Sequence, residues 1–121
     1  MVQTDISQLS AESAEWRQIL RNHRLELNDF KKALQETCKN SLTKEQLQEV
    51  EHYDNQFHIQ LINIHDLKQT IKAHERSLEQ QATPSEDLLA QHEDLYDRFS
   101  SMEAMLHELR NEFNHFRRQV A

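Results

Sequence analysis

Apolar side chains recur along this chain at steps of three and four. From Leu88 the series runs through His92, Leu95, Phe99, Met102, Leu106, Leu109, Phe113, Phe116 and Val120 without a miss. An earlier stretch gives Leu9, Ser13, Trp16, Leu20, His23, Leu27, Phe30 and Leu34. A middle one gives Leu47, Val50, Tyr53, Phe57, Leu61, Ile64, Leu67, Ile71, His74 and Leu78. A period near 3.5 keeps such positions on one side of a helix, so each stretch predicts a long helix with a single core-facing seam.

Two breaks separate the stretches. At Lys39-Asn40-Ser41-Leu42-Thr43, Asn and Ser compete with the helix for backbone hydrogen bonds, and Thr43 with Gln46 reads as a new N-cap and capping box. At Thr83-Pro84-Ser85-Glu86 the spacing predicts Thr83 as cap, Pro84 at the first helical position and Glu86 reaching back to the cap. The helices then span about 6–39, 44–81 and 84–120, each roughly 50–57 Å long at ~1.5 Å per residue. Connections this short force neighbouring helices to run antiparallel. The expected architecture is an all-α, up-down-up three-helix bundle with coiled-coil-like heptad packing, forming a single domain over 1–121.

The register follows from folding each seam back across its turn. Ile71 then faces Leu95, His74 faces His92, and Leu67 faces Phe99, while Leu27 meets Phe57 and Leu20 meets Ile64. Charges agree with that topology. Acids gather early in each helix and bases late, as at Glu45, Glu49 and Glu51 against Lys68, Lys72 and Arg76. This predicts that each helix complements its own dipole.

Composition narrows the function classes. The chain of 121 residues has no glycine, one proline and one cysteine. Without glycine, tight positive-φ turns and phosphate-cradling loops are costly to build. A lone cysteine excludes an internal disulfide or a Cys-based zinc site. The net charge of −7 works against nonspecific nucleic-acid binding. The basic cluster Lys31, Lys32, Lys39, Arg117 and Arg118 is interleaved with acids of the second helix. No apolar run is long enough to span a bilayer, and the first ten residues lack a leader pattern, so the expected location is cytoplasmic.

Eight histidines invite a metal reading. His74 and His92 share a layer near one end of the bundle, where Glu12, Glu75 and Glu93 lie close enough in sequence to add an oxygen, and two imidazoles with a carboxylate can hold Zn²⁺. The plainer reading is a polar layer whose rings bond each other, Ser10 or water and thereby fix register. Two Glu-x-x-His pairs, Glu49/His52 and Glu112/His115, match the spacing of di-iron bundles. Val50 and Phe113 occupy the seam at those levels, which turns both histidines outward. No nucleophile is provided with an oxyanion hole, and Cys38 sits near a helix C-terminus, whose negative end does not activate a thiol. The chain is therefore expected to have no catalytic residues and no cofactor.

The second helix departs from its seam at Ile59 and Ile62, which fall on its outer face between Asn55 and Asp66. Two isoleucines one turn apart at mid-helix predict an interface, with a twofold axis packing the helix against its own copy. Trp16 in the first seam of such a bundle resembles a spectrin-type repeat. The stretch from Val50 to Phe57 and from Asp66 to Glu75 is similar to short, uncharacterised all-helical bacterial proteins. Neither likeness carries an activity. The expectation is a non-enzymatic interaction module that forms a homodimer through Ile59, Ile62, Asn55 and Asp66 and has room for a further protein partner. It does not include nucleic acid, membrane or a small-molecule substrate. The alternative is a metal-binding bundle using His74 and His92.

Overall fold

A computed structural model describes residues 5–121. Residues 1–4, which open both the stretch read for a leader pattern and the expected domain, lie outside the described residues. The chain folds into a three-helix bundle: α1 (Ile6–Thr37), α2 (Lys44–Glu79) and α3 (Glu86–Val120). The described residues contain no strand, and none of their helices is long and apolar enough to cross a membrane.

Capping chemistry sets where each helix begins. The Asp5 carboxylate accepts from the Gln8 amide at 2.8 Å and starts α1. Thr43 and Gln46 form the expected reciprocal capping box at the start of α2. The start of α3 differs from expectation. Ser85, not Thr83, is the N-cap, and its hydroxyl accepts from the Leu88 amide at 3.2 Å. Pro84 stands outside the helix, since the residue after it, Ser85, is still extended (φ −79°, ψ 165°) and supplies the capping hydroxyl. Leu88 then occupies the third helical position, so Glu86 takes no part in a capping box. The C-termini of α1 and α2 also fall two residues short of expectation, at Thr37 and Glu79.

The dipole pattern holds for α2 and α3. Glu45 and Arg76 flank α2, and Glu86, Asp87, Arg117 and Arg118 flank α3. It fails for α1, whose first turn has no acid and whose last turn has no base. Glu12, Lys31 and Lys32 lie too far from the ends to matter, since the dipole's influence fades within one turn.

One main apolar cluster runs through all three helices, from Trp16 and Phe99 to Leu34 and Phe116. Aromatic rings fill its middle. Phe57 meets Phe113 edge-on at 4.9 Å between centroids, and Phe30 lies 5.2 Å from Phe113. A smaller cluster of Leu9, Leu78 and Leu88 closes the end near the α2–α3 turn. Between the two clusters lies a polar layer of Ser13, His74 and His92, all buried.

The register is constant along the bundle. Glu12 meets His92, His23 meets Glu103 and Asn40 meets Val120, each pair 80 residues apart. Thus α1 and α3 run parallel without slippage from one end to the other, with α2 antiparallel to both. The expected seams of α1 and α3 form the core with few exceptions, His23, Phe30, Met102 and Val120 being only partly buried. In α2 the core line passes through Gln60 where Leu61 was expected, and Leu47 is 51% exposed rather than packed.

Candidate functional site

Every residue of the polar layer is set by the helical repeat. Ser13, one turn before Trp16, gives its hydroxyl to the Leu9 carbonyl at 2.8 Å. Its small side chain leaves the layer's volume to two imidazoles. His74 Nε2 and His92 Nδ1 are 3.0 Å apart, and His92 Nε2 is 3.1 Å from the Glu12 carboxylate. The rings are tilted by 36° with centroids 5.2 Å apart. Trp16 covers His92 at 4.6 Å between centroids.

Hydrogen-bond directions follow from the acceptor at the end of the chain. A carboxylate can only accept, so His92 carries its proton on Nε2 and leaves Nδ1 as an acceptor. His74 Nε2–H donates to that nitrogen. His74 Nδ1 is then a lone pair, buried and without a hydrogen-bond partner. The His74 residue lines a cleft of about 200 Å³ between α2 and α3, together with Thr70, Ser77, Gln91, Asp94 and Arg98. Burial holds the His74 imidazolium below its ordinary pKa. Gln91 and Glu75 favour the charged ring, and His92 opposes it.

Glu75 does not join the histidines. It accepts from Arg17 of α1, with the second bond of this fork at 3.0 Å, and the pairing raises the Arg17 pKa. Among the described residues no group of three or more His, Cys, Asp or Glu is arranged to hold a metal ion. His52 and Glu112 line one shallow cleft with Glu108, while His115 meets Gln119. Cys38 is a free, exposed thiol at the C-cap of α1.

The residues expected at an interface stand together on α2. Ile59 is 46% and Ile62 48% exposed, and both Asn55 and Asp66 are exposed. Ile59 and Ile62 share the outward face with Asn55 and Asp66, whose spacing from them is close to whole helical turns.

Two features escaped the sequence reading. One is Gln60, 3% exposed, whose amide nitrogen meets Met105 Sδ at 2.9 Å while its Oε1 has no partner. It lines a groove of about 460 Å³ between α2 and α3 with Leu67, Met102 and Met105. The other is a basic stripe along the α1–α2 seam. Burial and the charges of Arg24, Lys72, Arg21 and Arg17 hold the Lys68 ammonium below its usual pKa. Arg17, Arg21 and Arg24 at helical spacing were the signal that could have revealed it.

Compared with protein families, curated proteins and solved structures, the chain matches none.

Proposed function

We propose that the protein is a non-enzymatic interaction module that associates with its own copy through the outward face of α2. The supporting observation is the exposure of Ile59 and Ile62, one turn apart at the midpoint of a helix otherwise polar on that side. Single exposed apolar residues need no explanation, but an adjacent pair at the centre of a helix suits a twofold contact. An antiparallel pairing centred between residues 60 and 61 sets Ile59 against Ile62 of the second copy. The same centre sets Asn55 against Asp66, an amide against a carboxylate, and Glu45 against Arg76, opposite charges. Self-complementarity of this kind is what a twofold interface requires.

The charged side chains that join helices serve the bundle itself, as Arg17 does with Glu75 and Arg110 with Glu26. This supports a scaffold role over a catalytic one. A cytoplasmic location fits the exposed free thiol. Light scattering during size-exclusion chromatography at tens of micromolar tests the proposal. The expected mass is twice 14.5 kDa. The Ile59→Glu/Ile62→Glu variant is expected to elute as a monomer with unchanged helical circular dichroism. A wild-type monomer at that concentration would refute the proposed contact.

A further inference from the structure

The buried chain Glu12–His92–His74 ends at His74 Nδ1, a buried nitrogen without a hydrogen-bond partner, on a residue that lines the α2–α3 cleft. We infer that it is a one-proton relay: a proton taken up at His74 Nδ1 comes to rest as charge on His92, and Nδ1 changes from acceptor to donor.

The geometry contains each step. A proton arriving through the α2–α3 cleft binds His74 Nδ1, the buried ring nitrogen with no partner. His74 Nε2–H then passes its proton across 3.0 Å to His92 Nδ1. His92 keeps the proton on Nε2, which remains hydrogen-bonded to Glu12 at 3.1 Å. One proton enters and no other bond changes. His74 ends neutral, protonated on Nδ1 instead of Nε2, and His92 ends as imidazolium.

The surroundings decide which ring holds the charge. On the α1 side His92 faces the Glu12 carboxylate and the Trp16 ring, and a cation over an indole face is further stabilised. Glu93 of α3 lines the same cleft as Glu12 and His92, and adds negative charge there. His74 is 3% exposed and less favourably placed. Its α2 neighbour Glu75 is already bound by Arg17. From α3 it faces Asp94 and Arg98, opposite charges lining one cleft, and the Gln91 amide, whose support for a charged ring is outweighed by burial. A second proton on His74 would put two cations in one buried layer, which the charged His92 opposes. The pair therefore takes up one proton in the folded state.

Long-range ¹H–¹⁵N spectra of protein labelled with ¹⁵N-histidine read the protonation of each ring nitrogen. Over the pH range in which circular dichroism stays helical, both rings are expected to begin as Nε2–H tautomers. As pH falls, both His92 nitrogens should become protonated while His74 switches to Nδ1–H. A His74 ring that keeps Nε2–H while His92 charges, or that becomes doubly protonated first, overturns the relay. So does unfolding before either ring changes. Glu12→Gln, at a half-exposed site, is expected to leave the fold intact and to lower the midpoint of the tautomer switch by about one pH unit, a tenfold higher proton concentration. An unchanged midpoint would remove Glu12 from the chain.

Discussion

His74 and His92 join two helices through a single hydrogen bond, Nε2 to Nδ1 at 3.0 Å, in the one polar layer between two apolar clusters. That bond exists only while the bonded nitrogens share one proton. In the unfolded chain each ring titrates independently near ~6.5. In the folded chain burial holds His74 below that value. Between the two values the unfolded state binds more protons, so stability rises with pH there. The stabilisation is complete above ~6.5 and is lost as pH falls towards the lowered value of His74. Urea midpoints measured from pH 8 to pH 5 are expected to fall on acidification. The His74→Leu/His92→Leu variant is expected to flatten that slope, and at pH 8 to be as stable as the wild type or more so, since both partners are replaced together. A slope unchanged by the double variant would place the acid sensitivity elsewhere.

Removing one partner is a different experiment. His92→Ala leaves His74 Nε2–H buried without an acceptor and uncovers one face of Trp16. A buried polar group left without a partner costs about 1–3 kcal/mol, and the lost packing adds to it. The single variant is therefore expected to be clearly less stable than the double leucine variant, although it alters fewer residues. Equal midpoints would mean that the rings do not depend on each other.

The fold was legible because the apolar series of α1 and α3 keep their three-and-four steps through every layer, and because Thr43 with Gln46 states its cap in two residues. The histidine pairing was legible for the same reason: two positions that face each other across a known register must meet if both lie on the seam. The Gln60 position was not legible. Its neighbour Leu61 is apolar, and a reading that follows hydrophobicity takes Leu61, whereas the unbroken steps from Tyr53 through Phe57 and Gln60 to Ile64 keep the helix face aligned. Glu12 was legible as one of three acids near the histidine layer, with Glu75 and Glu93; that Glu12 rather than Glu75 meets a histidine was not, because a carboxylate's choice among neighbours depends on side-chain reach rather than spacing.

Gln60 makes a direct prediction. Its Oε1 is buried without a partner, and its nitrogen meets only a thioether, a weak acceptor. Gln60→Leu removes an unpaired polar group while nearly preserving volume, and is expected to stabilise the protein by about 1 kcal/mol. Chemical denaturation checks the sign. Destabilisation would show that the amide is satisfied in solution.

Lys68 should behave in the same sense for an electrostatic reason. It lies among Arg17, Arg21, Arg24 and Lys72, and folding brings these cations together. Lys68→Met keeps the apolar stem and deletes the charge. A higher melting temperature is expected at low salt, with the difference from wild type shrinking as salt screens the stripe. A gain independent of ionic strength would point to packing rather than repulsion.

The start of α3 offers a test that separates two neighbouring hydroxyl residues. Ser85 accepts from the Leu88 amide and is the residue whose backbone is extended just before the helix, with φ −79° and ψ 165°. Thr83 precedes Pro84 and lies outside the helix. Losing an N-cap hydroxyl costs about 1 kcal/mol, whereas an exposed loop substitution stays within about 0.5 kcal/mol. Ser85→Ala is expected to lower the denaturation midpoint measurably, and Thr83→Ala to leave it nearly unchanged. Because Leu88 belongs to the small end cluster with Leu9 and Leu78, the loss at Ser85 should also raise amide exchange in the first turn of α3 before it affects the middle of the bundle. If Thr83→Ala had the larger effect instead, the helix would start before Pro84 in solution, and the His92 ring two turns on would have to be placed anew.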